Sequence, residues 1–326
     1  MVNQGKLSNE LVTQKALALG FDLIGFAKSE ELKEEVERLE NWLRERYNGT
    51  MSYMERNLEK RLNVKEILPE AKSVISLALN YYTDEAYSNK AGSGKVSRYA
   101  FGTDYHYILW DKLEKLITEL KEIDPNFSAK SYVDTGPVMD KAWAIHSGLG
   151  WMGKHSNIIT KEFGSWIFLS TIITNYEFSN YGNVLGDFCG TCTRCIDACP
   201  TSAITESYIV NANKCISFLT IENKEEIPNE LSGSFENWLF GCDICQDVCP
   251  WNKKFSKRTN EPGFFVKNSN KEINLYEIME MDNIEFKMRF KDSPIMRAKL
   301  KGLKRNASFL RAGTDRTILN KTGKNK

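Results

Sequence analysis

The fold is decided at GCDICQDVCPWN (241–252), read beside CGTCTRCIDACP (189–200). The upstream stretch spaces four cysteines as C-x2-C-x2-C-x3-C and ends in proline. Superposing the two Cys-Pro ends sets Cys245 over Cys195 and Cys242 over Cys192, but Leu239 stands where Cys189 needs a counterpart. In the bacterial ferredoxin pattern, three closely spaced thiolates embrace one cubane and the fourth reaches the neighbouring cluster. On that rule Cys189, Cys192, Cys195 and Cys249 hold one 4Fe–4S cluster, while Cys199, Cys242 and Cys245 hold three corners of a second. Cys215, in NKCISFL, is the one cysteine left and is the natural fourth ligand. Two four-cysteine zinc sites are the alternative, since C-x2-C pairs also suit tetrahedral zinc; the triple run ending in Cys-Pro is nevertheless a ferredoxin spacing. No C-x-x-C is followed by His, which excludes c-type haem at these sites. Two neighbouring clusters carry electrons, so this module feeds a redox centre elsewhere.

A chain of 326 residues is long for one core and points to two or three domains. No apolar run approaches the ~20 residues needed to span a membrane. The N-terminal stretch lacks a secretory or twin-arginine signal, which predicts a cytoplasmic protein and no membrane partner. In that compartment eight cysteines mean metal or redox chemistry more often than disulfides. The net charge of +1 hides an asymmetry: residues 251–326 hold 19 Lys and Arg against 8 Asp and Glu, leaving 25 against 35 in the first 250. A basic end on an acidic protein fits a polyanion such as nucleic acid, and equally a solvated tail.

Apolar spacing predicts helices at 7–19, 31–46, 105–123 and 139–148, and strands at 21–28, 73–82, 128–135 and 165–174. DEAYSNKAGSGK (84–95) reads as a polar loop. The class is α+β, with helices around a central sheet. The division is 1–180 as catalytic domain, 181–255 as the two-cluster ferredoxin-like domain, and 256–326 as a basic helical region. Its last stretch, DRTILNKTGKNK (315–326), is polar enough to stay unstructured.

HSGLGWMGKHSN (146–157) contains a literal G-x-G-x-x-G, but a helix precedes it and a strand follows, so the dinucleotide reading fails. Its glycines suit a helix C-cap and a close backbone approach to something bulky, with Lys154 as a contact or a solvated loop lysine. VDTGPVMD (133–140) sets Asp134 at a strand end beside a glycine turn. There it can be a proton donor or a turn carboxylate, and the residues alone leave both open; Asp140 and Lys141 read as ordinary helix residues. His106 is not part of a D-x-H-x-x-G cobalamin motif, because Leu109 occupies the glycine position.

Together, MSYMERNLEKR (51–61), SRYAFGTDYH (97–106), VDTGPVMDKAWAIHSGLGWMGK (133–154), NKCISFLTIE (213–222), LKRNA (303–307) and the two cysteine motifs resemble the epoxyqueuosine reductase family. The resemblance covers roughly residues 5–310. It implies a nitroreductase-like cobalamin-binding domain, shared with reductive dehalogenases, and reduction of epoxyqueuosine to queuosine at the wobble position of tRNA. Electrons would pass through both clusters to cobalamin, and Asp134 would be the proton donor. The matching segments carry over cobalamin contacts to Asn57, Ser97, Asp134, Lys154, Ile158 and Ser217, with main chain near Cys242 and Asp243. The family lacks a protein axial ligand to cobalt, in keeping with the absent D-x-H-x-x-G. Many relatives continue past LKRNA into HEAT-type repeats that help hold tRNA; here a truncated, tRNA-facing region remains, with Lys299, Lys301, Lys304 and Arg305 as contacts. A flavodoxin- or ferredoxin-type reductant and a monomeric state complete the expectation. The alternative is a reductive dehalogenase-like corrinoid iron–sulfur enzyme acting on a small molecule. A third reading, an electron carrier with a binding domain, would take up clusters but no corrinoid.

Overall fold

Ser73–Asn80 is buried along its whole length and forms the centre of a four-stranded antiparallel sheet in the computed structural model. Residues 6–88 and 90–322 are described, with side chains through Gly313. The strand order is Leu23–Lys28, Ser73–Asn80, Ile167–Thr174, Ala129–Tyr132. Burial on both faces explains why SVISLALN reads as a continuous apolar run instead of an alternating one. Ile75, Leu77 and Leu79 face Asn9–Ala18 and Tyr105–Ile123, while Val74 packs with Ala142 and Trp143 of Asp140–His146 on the other side. Burying each such aliphatic side chain contributes about 1.5–3 kcal/mol. The polar residues of the strand are tolerable because each is bonded: Ser73 Oγ donates to the Tyr176 carbonyl, Ser76 Oγ accepts from Ser147, and Asn80 Nδ2 donates to the Lys257 carbonyl.

The long helix starts at Tyr105 because Asp104 caps it, accepting the His106 N–H. Leu109, Leu113, Leu116 and Leu120 then repeat on its buried face.

A second sheet joins distant parts of the chain. Ser93–Val96 pairs parallel with Trp238–Phe240 and antiparallel with Glu272–Asn274. The expected polar loop therefore ends at Gly92, since partners more than 140 residues away complete the ladder of a strand whose own propensity is weak. Each of the three expected parts of the chain contributes one strand. Leu239, the residue in the place of a cysteine, is fully buried in this core. A Cβ on Gly94 would lie 2.5 Å from Leu239 Cβ, so the two strands meet only because position 94 has no side chain.

The last helix, Lys299–Thr322, anchors Leu303, Ala307 and Leu310 in the same core. It carries the final stretch with it, correcting the expectation of disorder up to Thr322; once a packed turn is nucleated, each further residue adds a hydrogen bond. Residues 323–326 of that expectation lie outside the described residues. Among the described residues no helix is long and apolar enough to cross a membrane.

Candidate functional site: two cysteine sets and an adjoining cleft

All eight cysteines are free thiols, and the fold gathers them into two groups. Cys189, Cys192, Cys195 and Cys249 line one cavity of about 160 Å³, with Lys154, His155 and Trp251. Burial, then Cys189 and Cys249, pushes the Cys195 thiol up to about 11. In the other group burial raises Cys215, Cys242 and Cys245; Cys199 adds to the rise at Cys215 and Cys245, and Cys242 feels Cys245 and Cys215. Cys245 also feels Cys195, so the groups are neighbours. Crowded, buried thiols become thiolates when a metal centre offsets their charge. Among the described residues no three His, Cys, Asp or Glu side chains converge closely enough for a single metal ion. Four sulfurs lining one cavity fit a cubane, which is wider than a single ion.

The glycine-rich turn lies against the first cysteine cavity. Gly148 ends helix Asp140–His146 at φ +75°. Gly150 and Gly153 make room for Ile159 of the short hairpin Trp151–Met152/Ile158–Ile159, so the close approach expected there is to the hairpin partner. The Lys154 main-chain N–H and the Trp151 indole partly offset the rise that burial imposes on Cys189. Lys154 Nζ donates to the Gly190 carbonyl at 2.6 Å, so this lysine belongs with the first cysteine set.

Asp134 stands at the apex of a tight turn with φ +58°, where the Thr135 N–H returns to the Val133 carbonyl at 2.6 Å. It is exposed, and the Tyr105 hydroxyl donates to its Oδ2 at 2.7 Å. Burial and then the Asp134 charge push the Tyr105 phenol far above its usual range, so it remains a donor. The Asp134 charge also acts on Tyr53, Tyr99, Asp140, Lys141 and Arg297, so all five lie within its electrostatic reach.

Asp140 and Lys141 are not the ordinary helix residues their sequence position suggests. Burial pushes the Asp140 carboxyl up to about 7 against a 2.5 Å hydrogen bond from Thr171. Lys141 lies in the concave cleft, its ammonium donating to the Ser156 carbonyl and Asn157 Oδ1. Its surroundings lower its pKa, while Asp134, Cys245 and Cys215 pull it up. The Lys141 cation is thus within electrostatic reach of both the Asp134 turn and the second cysteine set.

Of the other expected cofactor contacts, Ile158 lines the same cleft beside Lys141, Ile167 and Leu169. Asn57 adopts a left-handed conformation and precedes the short helix that carries buried Arg61, whose charge interacts with Asp140. Ser217 Oγ lies 3.5 Å from the Cys242 carbonyl, at the second cysteine set. Ser97 and Asp243 are engaged with each other: Asp243 accepts from Ser97 Oγ at 2.5 Å, the Arg98 main chain at 2.9 Å and the Arg98 guanidinium at 3.2 Å. Arg98 lies over the Trp166 ring, sealing this network behind the cysteines.

At the basic end, Lys299 and Lys301 are exposed and Lys304 is half-buried. Arg305 departs from the expected tRNA-facing set. Its guanidinium donates to the carbonyls of Leu219, Asn223 and Glu225 and to Asn306 Oδ1. The last turn of helix Ile216–Ile221 leaves carbonyls without partners inside the helix, and Arg305 supplies a donor to that of Leu219 as well as to Asn223 and Glu225 just beyond it. Asn306 Nδ2 adds bonds to the Thr220 and Leu239 carbonyls, so LKRNA clamps the segment that carries Cys215. Arg297, which the sequence shows only as part of the basic end, pairs with Glu222 and feels the Asp134 charge.

Comparison with known proteins shows the family to which the chain belongs. A family model described as "Epoxyqueuosine reductase QueG, DUF1730" matches residues 61–135, and a "4Fe-4S double cluster binding domain" matches 188–252. The epoxyqueuosine reductase of Cellulophaga algicola is 45% identical over 310 residues, 95% of this chain and 100% of that protein. The one from Leadbetterella byssophila is 46% identical over 91% of this chain and 96% of its own. Among solved structures, an epoxyqueuosine reductase with an epoxyqueuosine-modified tRNA-Tyr stem loop superposes with TM-score 0.86 at 33% identity, covering 93% of this chain and 80% of that one. The Bacillus subtilis enzyme, with its catalytic aspartate loop swung out of the active site, superposes with TM-score 0.86 at 32% identity over 93% and 81%. With this α+β fold and a double-cluster 4Fe–4S domain, the chain belongs to the epoxyqueuosine reductase family of oxidoreductases.

Proposed function

We propose that this chain reduces epoxyqueuosine to queuosine at the wobble position of tRNA, with Asp134 delivering the proton to the departing oxygen. The observation that carries the reading is the Tyr105–Asp134 hydrogen bond, with the Lys141 cation in electrostatic reach of both Asp134 and the second cysteine set. The overall change is epoxide plus two electrons and two protons to alkene and water. Without a proton the leaving group would be an alkoxide, so a positioned acid is needed.

The residues fit the expected cofactors. Cys189, Cys192, Cys195 and Cys249 hold one cluster, and Cys199, Cys215, Cys242 and Cys245 the other. Ile158, Ile167 and Leu169 would offer an apolar wall to one part of a corrin, with Asn157 and Gln246 as polar groups at its edge. Asn57, Asp134, Ile158 and Ser217 border cobalamin, with Ser97, Lys154, Cys242 and Asp243 acting through main chain, since their side chains are engaged elsewhere. Bound clusters and cobalamin supply the electrons. The chain itself orients Asp134 through Tyr105, holds the Lys141 cation within electrostatic reach of the carboxylates and the second thiol set, and keeps the segment of Cys215 anchored through Arg305 and Asn306.

Residues 1–180 perform the chemistry, 181–255 pass electrons from a flavodoxin- or ferredoxin-type reductant, and 256–326 face the tRNA. The stem-loop complex of the relative supports tRNA as substrate. Lys299, Lys301 and Lys304 would meet phosphates. The protein acts as a cytoplasmic monomer. Anaerobic reconstitution with iron, sulfide and cobalamin, followed by nucleoside mass spectrometry of epoxyqueuosine-containing tRNA, tests the proposal. Cobalamin-dependent conversion to queuosine is expected; a fully loaded protein that leaves the epoxide intact overturns it.

A further inference from the structure

The His155 side chain is 4% exposed and stands on the wall of the cavity lined by Cys189, Cys192, Cys195 and Cys249. Its Nδ1 accepts the main-chain N–H of Asn157 at 3.2 Å. A ring nitrogen that accepts is unprotonated, so the proton of this imidazole is on Nε2. That Nε2 is buried and has no hydrogen-bond partner in the protein. Buried donors are almost always paired, and one left without a protein partner calls for an explanation. The ring has little freedom to seek a partner elsewhere: a Cβ at Gly153 would lie 2.9 Å from His155 Cε1. Trp151, packed with Cys189 and Cys249, already directs its indole at Cys189, which leaves His155 as the buried ring donor of this wall without a protein partner.

We propose that His155 donates an Nε2–H hydrogen bond to a sulfur of the cluster held by the first cysteine set, and thereby raises that cluster's reduction potential relative to its neighbour. A hydrogen bond to a cluster sulfur stabilises the more negative, reduced state, so its loss makes the potential more negative. The second set has Ser217 beside it instead, so the effect of His155 falls on one cluster. His155 is thus a tuning residue for the cluster of the first cysteine set. The inference rests on the first set holding a cluster and is independent of the tRNA chemistry.

The test uses the full chain reconstituted anaerobically, with iron content measured and both midpoint potentials followed by EPR. In His155→Leu, one potential should move to more negative values and the other should stay. His155→Gln, which keeps an N–H donor, should return the shifted potential toward that of the unsubstituted protein. Pulsed EPR of the reduced protein labelled with ¹⁵N-histidine should show a nitrogen coupling to one cluster that disappears in His155→Gln. This measurement on the unsubstituted chain decides the matter even if His155→Leu fails to fold. Unchanged potentials in a fully loaded His155→Leu, or no nitrogen coupling in the unsubstituted protein, overturn the proposal. Iron well below about eight per chain in the unsubstituted protein instead refutes the two-cluster reading.

Discussion

The Tyr105 hydroxyl donates a hydrogen bond of 2.7 Å to Asp134, a residue 29 positions further along the chain. The phenol comes from the first turn of a long helix and the carboxylate from a turn just after a sheet strand. Asp134→Asn keeps the shape of this pair and removes the acid. It should retain both clusters and cobalamin yet lose epoxide reduction by about 100-fold or more, the usual range for a positioned acid. Tyr105→Phe keeps the acid and removes its orientation, so kcat should fall by about tenfold, as one hydrogen bond to a charged group would give. Nucleoside mass spectrometry under saturating tRNA reads both; full activity in Asp134→Asn would refute the acid role.

Cys215 completes the second thiol set from a separate segment. Cys215→Ala should degrade that cluster alone, lowering iron from about eight per chain toward about four. Iron and sulfide analysis checks this, and a variant that still holds two intact cubanes removes Cys215 from the ligand set.

Arg305 and its neighbouring lysines should behave oppositely. Arg305→Ala leaves the carbonyls of Leu219, Asn223 and Glu225 without their donor, at a cost on the order of 3 kcal/mol in stability. Denaturant unfolding measures it. Lys299→Ala and Lys301→Ala should leave stability within about 0.5 kcal/mol. Each should lower the salt slope of tRNA binding by about 1 if that lysine meets a phosphate. Unchanged slopes would move the tRNA interface elsewhere.

Asp140 gives the protein a pH signature. Its folded carboxyl is pushed up to about 7 from a reference value of 3.8, so between those values the folded state binds more protons than the unfolded state. The favourable contribution of the neutral acid is complete below the unfolded value and is lost as pH rises through the folded one. Thermal stability should therefore decline across this window, and Asp140→Asn, which can still accept from Thr171, should flatten the decline. A Tm-against-pH profile identical in the two proteins would show that Asp140 ionises without penalty.

How much was legible follows from the range of each signal. The helix at 105–123 was readable to the residue because its leucine repeat and its Asp104 cap lie within the element itself. Ser93–Val96 was not readable as a strand, because its ladder is completed by Trp238–Phe240 and Glu272–Asn274. Asp140 and Lys141 looked unremarkable because Thr171, the Ser156 carbonyl and the Cys245 charge reach them only after folding. Arg305 looked like a phosphate contact because no local pattern shows that three carbonyls from 219–225 await it. His155 carried no usable motif, and its burial beside the first thiol set is a consequence of the hairpin at 151–159.

The sequence by itself determined the thiol spacing, hence which cysteines can share a cluster, because reach along a short segment is set by covalent geometry. It also determined the apolar periods that make the main sheet and helices. Only the tertiary structure decided that Leu239 is a core residue pressed on Gly94 and that Arg305 and Asn306 hold the segment of Cys215 in place. Those outcomes depend on burial and on donors meeting acceptors across separations of more than 80 residues, which no local pattern encodes.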